Sequence, residues 1–273
     1  MIVDAHVHLL PPRLGRAVRG FFAEHGVDHS TWRYPLDPVE ATAALAAEGV
    51  TSAWSLPYAR RPGTAPALNQ SSAEMTAAAG DGPVEVVGGA TVHPADSDPA
   101  GIVRLAVEEY GLRALKLHCS VGAFQADDPR LDPVWAYASD IRLPVVVHAG
   151  HAVTGDTAAP DLAGIGNVAE RWPDARIVIA HFGQPAVGAA LALLAAHPSL
   201  HADLTPVVST PVEVTAEQLA PVADRVLFGS DCPNAGLTVT ELRTRLRGLG
   251  LDAADLAAIE GDNATLLQND IKV

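Results

Sequence analysis

Apolar residues in this chain fall in short runs that stop abruptly at an ionisable side chain. Val145-Val146-Val147 runs into His148, Ile177-Val178-Ile179-Ala180 into His181, and Val226-Leu227-Phe228-Gly229-Ser230 into Asp231. Leu115-Lys116-Leu117 stops at His118, and the opening run stops at His6-Val7-His8. Nearly unbroken, β-branched runs of this length read as strands buried on both faces. They predict strands over 2–8, 50–56, 84–92, 114–118, 144–148, 177–181, 200–204 and 226–231. Between them lie Ala/Leu/Glu-rich stretches of helical character at 38–48, 70–79, 99–110, 132–139, 162–171, 186–196 and 215–223. Two more follow the last strand, at 239–249 and 253–267.

Strands interleaved with helices imply a parallel sheet under a helical layer. Eight such units predict a closed (β/α)8 TIM barrel, one α/β domain over residues 1–273. An open doubly wound sheet would carry a glycine-rich turn after its first strand. Leu9-Leu10-Pro11-Pro12 stands there instead and cannot cradle a phosphate through backbone amides.

Composition narrows the partners. The net charge of −14 disfavours nucleic acid, whose phosphates an acidic surface repels. No apolar run reaches the roughly 18 residues of a membrane span, and no signal peptide is evident. Two cysteines, Cys119 and Cys232, fit a reducing cytoplasm better than a disulfide framework. Both sit out of phase with their ionisable neighbours and read as packing residues. A small-molecule substrate remains the expected partner, with a homodimer possible.

The barrel fold gives the strand ends their meaning, because barrel sites form at the carboxyl ends of the strands. Side chains alternate along a strand, so Asp4, His6 and His8 are expected on one face. His148 and Asp231 arrive from the fifth and eighth strands to close a cage of nitrogen and oxygen donors. So much ionisable chemistry is costly to bury unless it is paired or bound to metal.

The stretches "VDAHVH", "GLRALKLH", "LPVVVHAG", "PDARIVIAHFG", "DRVLFGSDCP" and "GDNATLL" together resemble the amidohydrolase superfamily. They look most like the branch that includes aminocarboxymuconate semialdehyde decarboxylase. The resemblance implies His6, His8, His148 and Asp231 as metal ligands. It makes His181 a second-metal ligand or a catalytic group beside a single metal. It also implies that Lys116 is either a carbamylated bridge between two metals or an unmodified lysine facing substrate, the latter preferred.

Imidazole and carboxylate donors suit Zn²⁺, with Mn²⁺ or Fe²⁺ as alternatives, at one or two ions per chain. Such an ion activates water towards a carbonyl carbon. Asp231 would then carry the proton to the leaving group and His181 would orient the water or steady the oxyanion. His118 and His151 are candidate substrate contacts. Arg60 and Arg61, in the loop 57–69, could clamp a carboxylate. The loop 9–37 holds Phe21, Phe22, Trp32, Arg33 and Tyr34, read as packing against the barrel or capping an apolar substrate. Asp203 is a lesser pocket candidate. His25, His29 and His197 read as solvated, and Asp4, His93 and Asn263 as structural.

Three functions follow from this reading. The leading one is hydrolysis of an amide, ester or lactone by metal-activated water. The second is non-oxidative decarboxylation of an aromatic or unsaturated acid. The third is a barrel that binds metal or ligand without turnover. The chain is short beside the decarboxylases, which favours hydrolysis.

Overall fold

The computed structural model describes residues 1–80, 82–152 and 155–272. Eight parallel strands follow one another around a barrel: β1 (Val3–Val7), β2 (Ser52–Ser55), β3 (Glu85–Thr91), β4 (Ala114–Leu117), β5 (Val145–Val147), β6 (Ile177–Ile179), β7 (Leu200–Asp203) and β8 (Val226–Leu227). The ring closes where β8 meets β1. Ala5 N donates to Phe228 O, Asp231 N to His6 O, and His8 N to Cys232 O. Every predicted strand is present. His8, His118 and His148 lie one residue past β1, β4 and β5, His181 two past β6 and Asp231 four past β8, while His6 and Lys116 lie within their strands.

The strand interiors are Val, Ile, Leu and Ala because both faces are covered. Inside the barrel, Trp54, Val146, Val178 and Leu227 pack together, and Ala264 and Leu267 of the terminal helix Asn263–Asn269 join them. Outside, alternate residues such as Val145, Val147, Ile177 and Ile179 pack under the helices with Trp135, Ile165 and Leu194. Cys119 and Cys232 are buried in these outer layers, as their phase predicts.

Two departures bear on function. The stretch 9–37 is not all loop: Pro12–Glu24 forms a helix, here α1. Its entry is marked by Pro12 at the first helical turn, where a missing N–H costs nothing. The second departure is in β1. Val3 pairs with Ser52 and Asp4 with Ala53, but Val7 pairs with Ser55, so β1 carries one extra residue. Val3 and Ala5 therefore pack with the inner cluster and Val7 with the outer one. The expected single face for Asp4, His6 and His8 is corrected: the bulge separates Asp4 from the two histidines. Bulges of this kind commonly re-aim side chains beside active sites.

Helix boundaries also moved. The third helix begins at Ala65 rather than 70, with Pro66 in its first turn. The stretch 253–267 is broken into Ala253–Ala257, a wider turn at Ala258–Asp262, and Asn263–Asn269. No helix among the described residues is long and apolar enough to cross a membrane.

Candidate metal centre

His6 sits inside the barrel mouth with no solvent exposure. Its Nδ1 donates to Asp203 Oδ2 at 2.9 Å, so its Nε2 carries the lone pair. His8, one residue past β1, donates through Nδ1 to Leu56 O at 2.6 Å, which likewise turns its Nε2 lone pair inward. That nitrogen lies 3.0 Å from Asp231 Oδ1, and His6 Nε2 lies 4.0 Å from the same oxygen. His6, His8 and Asp231 each place one donor atom within 4.8 Å of the others.

This donor set fits a cation. A neutral His8 opposes lone pair to carboxylate across 3.0 Å, an arrangement that needs a positive charge between the two. A second ring proton on His8 would satisfy that pair alone. A divalent ion would also compete with Lys116 Nζ, 3.1 Å away, for the His6 Nε2 lone pair. His148 adds to this: among the described residues its buried Nε2 has no hydrogen-bond partner, a costly state for a polar atom unless it has a ligand. His148 lies beside the tight group rather than in it. Its ring meets His181 at 4.9 Å between centroids and stacks on His118 at 3.9 Å.

His181 occupies a left-handed turn with φ 55° and ψ 22°, followed by Phe182 at φ 49°. Non-glycine residues pay for that conformation. Asp203 Oδ1 holds the turn by accepting from His181 N at 2.8 Å, and the ring donates through Nδ1 to Thr205 O at 3.3 Å. Asp231 is also left-handed, at φ 63°, and its own N is tied to His6 O. Asp203 thus orients two predicted site histidines from beneath. This role is not evident from its sequence position, although its place at the end of β7 marks it as a mouth residue.

Lys116 is fully buried and donates through Nζ to His6 Nε2 at 3.1 Å. Burial pushes its ammonium down to about 8, against partial support from Asp203 and Asp231. Burial, then the nearby Lys116 charge, pushes His6 down to about 3. Burial also lowers His148, His118 and His181. These imidazoles are therefore neutral and available as ligands or bases. Burial alone would raise the Asp231 carboxyl, but its contact with His8, 3.0 Å away, and the proximity of His6 and His181 outweigh this and lower it below its ordinary value. Asp4 differs: burial raises it to about 7 despite bonds from Ser230 N and His6 N.

A cavity of about 700 Å³ opens above these groups. His8, His148, His181 and Asp231 lie at its floor, and Leu14, Val18, Phe21 and Phe22 of α1 line its roof. The aromatics of the stretch 9–37 divide. Phe21 and Phe22 face the cavity, whereas Trp32 is buried edge-on against Phe22. Arg60 is exposed at the rim with its guanidinium 5.1 Å over the Phe21 ring. His151 is exposed, in a short hairpin pairing with Asp156, and also lines the cavity. His118 is half-buried, with Nδ1 3.3 Å from Ser120 Oγ. His93 is bound instead to Gly122 O and Asp96, and Asn263 donates to Ala223 O and Val226 O. Tyr58 is a cavity residue that sequence pattern did not single out, although it stands three residues past the end of β2.

The amidohydrolase family model matches residues 3–267. The chain belongs to the amidohydrolase family. No curated protein matches it. Solved structures with the same fold include an uncharacterised TIM-barrel protein from Bordetella bronchiseptica, with TM-score 0.74, 20% identity and 98% of each chain covered. A 5-carboxyvanillate decarboxylase from Sphingomonas paucimobilis aligns with TM-score 0.69, 15% identity and 99% of each chain. A dihydroxybenzoic acid decarboxylase from a Polaromonas species, solved with manganese and 2-nitroresorcinol, aligns with TM-score 0.68 and 13% identity over 98% of this chain and 96% of that one. At these identities the likeness is one of fold. In this amidohydrolase, the buried His6, His8 and Asp231 form a group that could hold a divalent metal.

Proposed function

We propose that this amidohydrolase is a metal-dependent hydrolase of an amide, ester or lactone bond in a small molecule. The observation that carries the reading is the pairing, at one cavity floor, of an ionised Asp231 with a neutral His181 whose Nδ1 is already committed to Thr205 O. His181 Nε2 is then the ring nitrogen left for substrate or water. A divalent ion held by His6, His8 and Asp231, with His148 completing the set, would supply Lewis-acid polarisation and water activation. Asp231 accepts the proton of the attacking water and returns it to the leaving group. His181 orients that water, its Nε2 lone pair accepting from the O–H. Asp203 keeps His6 and His181 in register throughout. Lys116, unmodified, adds positive charge beside His6; carbamylated, it would instead offer oxygen donors to a second ion. Zn²⁺ is the expected metal, and Mn²⁺ or Fe²⁺ suits the same donors.

Decarboxylation of an aromatic or unsaturated acid is the second reading. The apolar roof of α1, with Arg60 stacked on Phe21 at its edge, favours it, since that pairing suits a flat body with a carboxylate. A panel of lactones, esters and amides beside aromatic carboxylates separates the two. Release of new acid groups supports hydrolysis, CO₂ release supports the second reading, and silence across both with retained metal contradicts an enzyme.

A further inference from the structure

Tyr58 stands where β2 delivers its chain to the barrel mouth. Its ring meets His8 edge-on, with centroids 5.3 Å apart and planes at 84°, and leans on His118 at 4.9 Å. Those two contacts fix the ring from two sides. The phenol lines the cavity, and among the described residues it has no hydrogen-bond partner. The Nδ1 atoms of the surrounding histidines are already engaged. His8 Nδ1 is tied to Leu56 O, His118 Nδ1 to Ser120 Oγ, and His181 Nδ1 to Thr205 O. A partly buried tyrosine hydroxyl normally finds a partner. The open side of this residue is the cavity it lines.

We propose that Tyr58 is a catalytic residue of this site, donating a hydrogen bond from its hydroxyl to the substrate oxygen that sits over His8 and Asp231 and gains negative charge as the bond breaks. The substrate therefore carries a carbonyl or carboxylate oxygen at that end. This assignment rests on the reading of the centre as one that turns over a substrate.

Tyr58→Phe keeps both ring contacts and removes only the donor. The metal-loaded full chain is compared with the variant by metal content, by kcat and KM on the best substrate of the panel, and by calorimetric titration with acetohydroxamate, a small carbonyl ligand. We expect unchanged metal content and little change in KM. A lost oxyanion donor should lower kcat on the order of 100-fold, and a lost hydrogen bond to a charged oxygen should weaken acetohydroxamate about tenfold. Equal kcat and equal affinity in both proteins overturn the assignment. So does loss of metal from the variant, which would make Tyr58 a support for His8. A wild type that turns over nothing yet binds acetohydroxamate more tightly than Tyr58→Phe sinks the hydrolase reading and leaves the Tyr58 hydrogen bond standing. A wild type that neither turns over nor binds overturns both.

Discussion

Asp203 accepts from His6 Nδ1 with one carboxylate oxygen at 2.9 Å and from His181 N with the other at 2.8 Å. One buried side chain at the end of β7 thus sets the tautomer of a ligand candidate and the turn that carries a catalytic candidate. Burial works against its charge, but His6, His181 and Thr205 more than compensate and hold its carboxyl well below the usual range.

Asp203→Asn keeps the shape and loses the charge. Outer partners of metal-binding histidines are worth about 10–100-fold in metal affinity. The expected outcome is weaker metal retention by that order, with the fold intact by circular dichroism. Metal competition with a chromogenic chelator checks it, and an unchanged affinity would remove Asp203 from the account.

Lys116 decides the number of ions. An unmodified lysine at 3.1 Å from His6 Nε2 predicts about one metal per chain in both wild type and Lys116→Met, the methionine filling the buried space. A fall from about two ions to one in the variant would show that the lysine bridges metals, and His181 would then rank as a ligand.

The α1 roof should set affinity more than rate. Removing the Phe21 ring forfeits apolar burial worth about 1.5 kcal/mol, roughly tenfold. Phe21→Ala is expected to raise KM for apolar-bodied substrates with kcat nearly unchanged, the mark of binding shared by ground and transition states. A matching fall in kcat would mean that α1 also positions the reacting groups.

His201, at the start of β7 and away from the centre, gives a clean pH test. Burial lowers its imidazole to about 4 from an ordinary value of 6.5. Between these values the unfolded chain binds a proton that the native one refuses, so stability falls as pH drops from 6.5 towards 4. Relative to wild type, His201→Gln should lose this term and melt progressively better as the buffer is acidified through that window. Parallel Tm-against-pH curves for the two proteins would contradict it.

Much of the site was legible because barrel strands end at the mouth, and the side chains of His148, His181 and Asp231 stand directly after apolar runs. The rest depended on contacts that periodicity does not carry. The extra residue in β1 moves Asp4 off the face of His6 and His8, and strict alternation cannot foresee a bulge. Helix α1 lies in a stretch of mixed aromatics and arginines whose apolar face has meaning only over a cavity. Asp203 and Tyr58 gain their roles from partners 197 and 50 residues away, His6 and His8.

The most direct test is elemental analysis of protein purified without added metal, wild type beside Asp231→Asn. The account predicts at least about one divalent ion per wild-type chain and a large loss in the variant, because Asp231 supplies the only carboxylate among the three converging donors. No metal in the wild type, even after reconstitution, would contradict the metal centre and the hydrolase built on it.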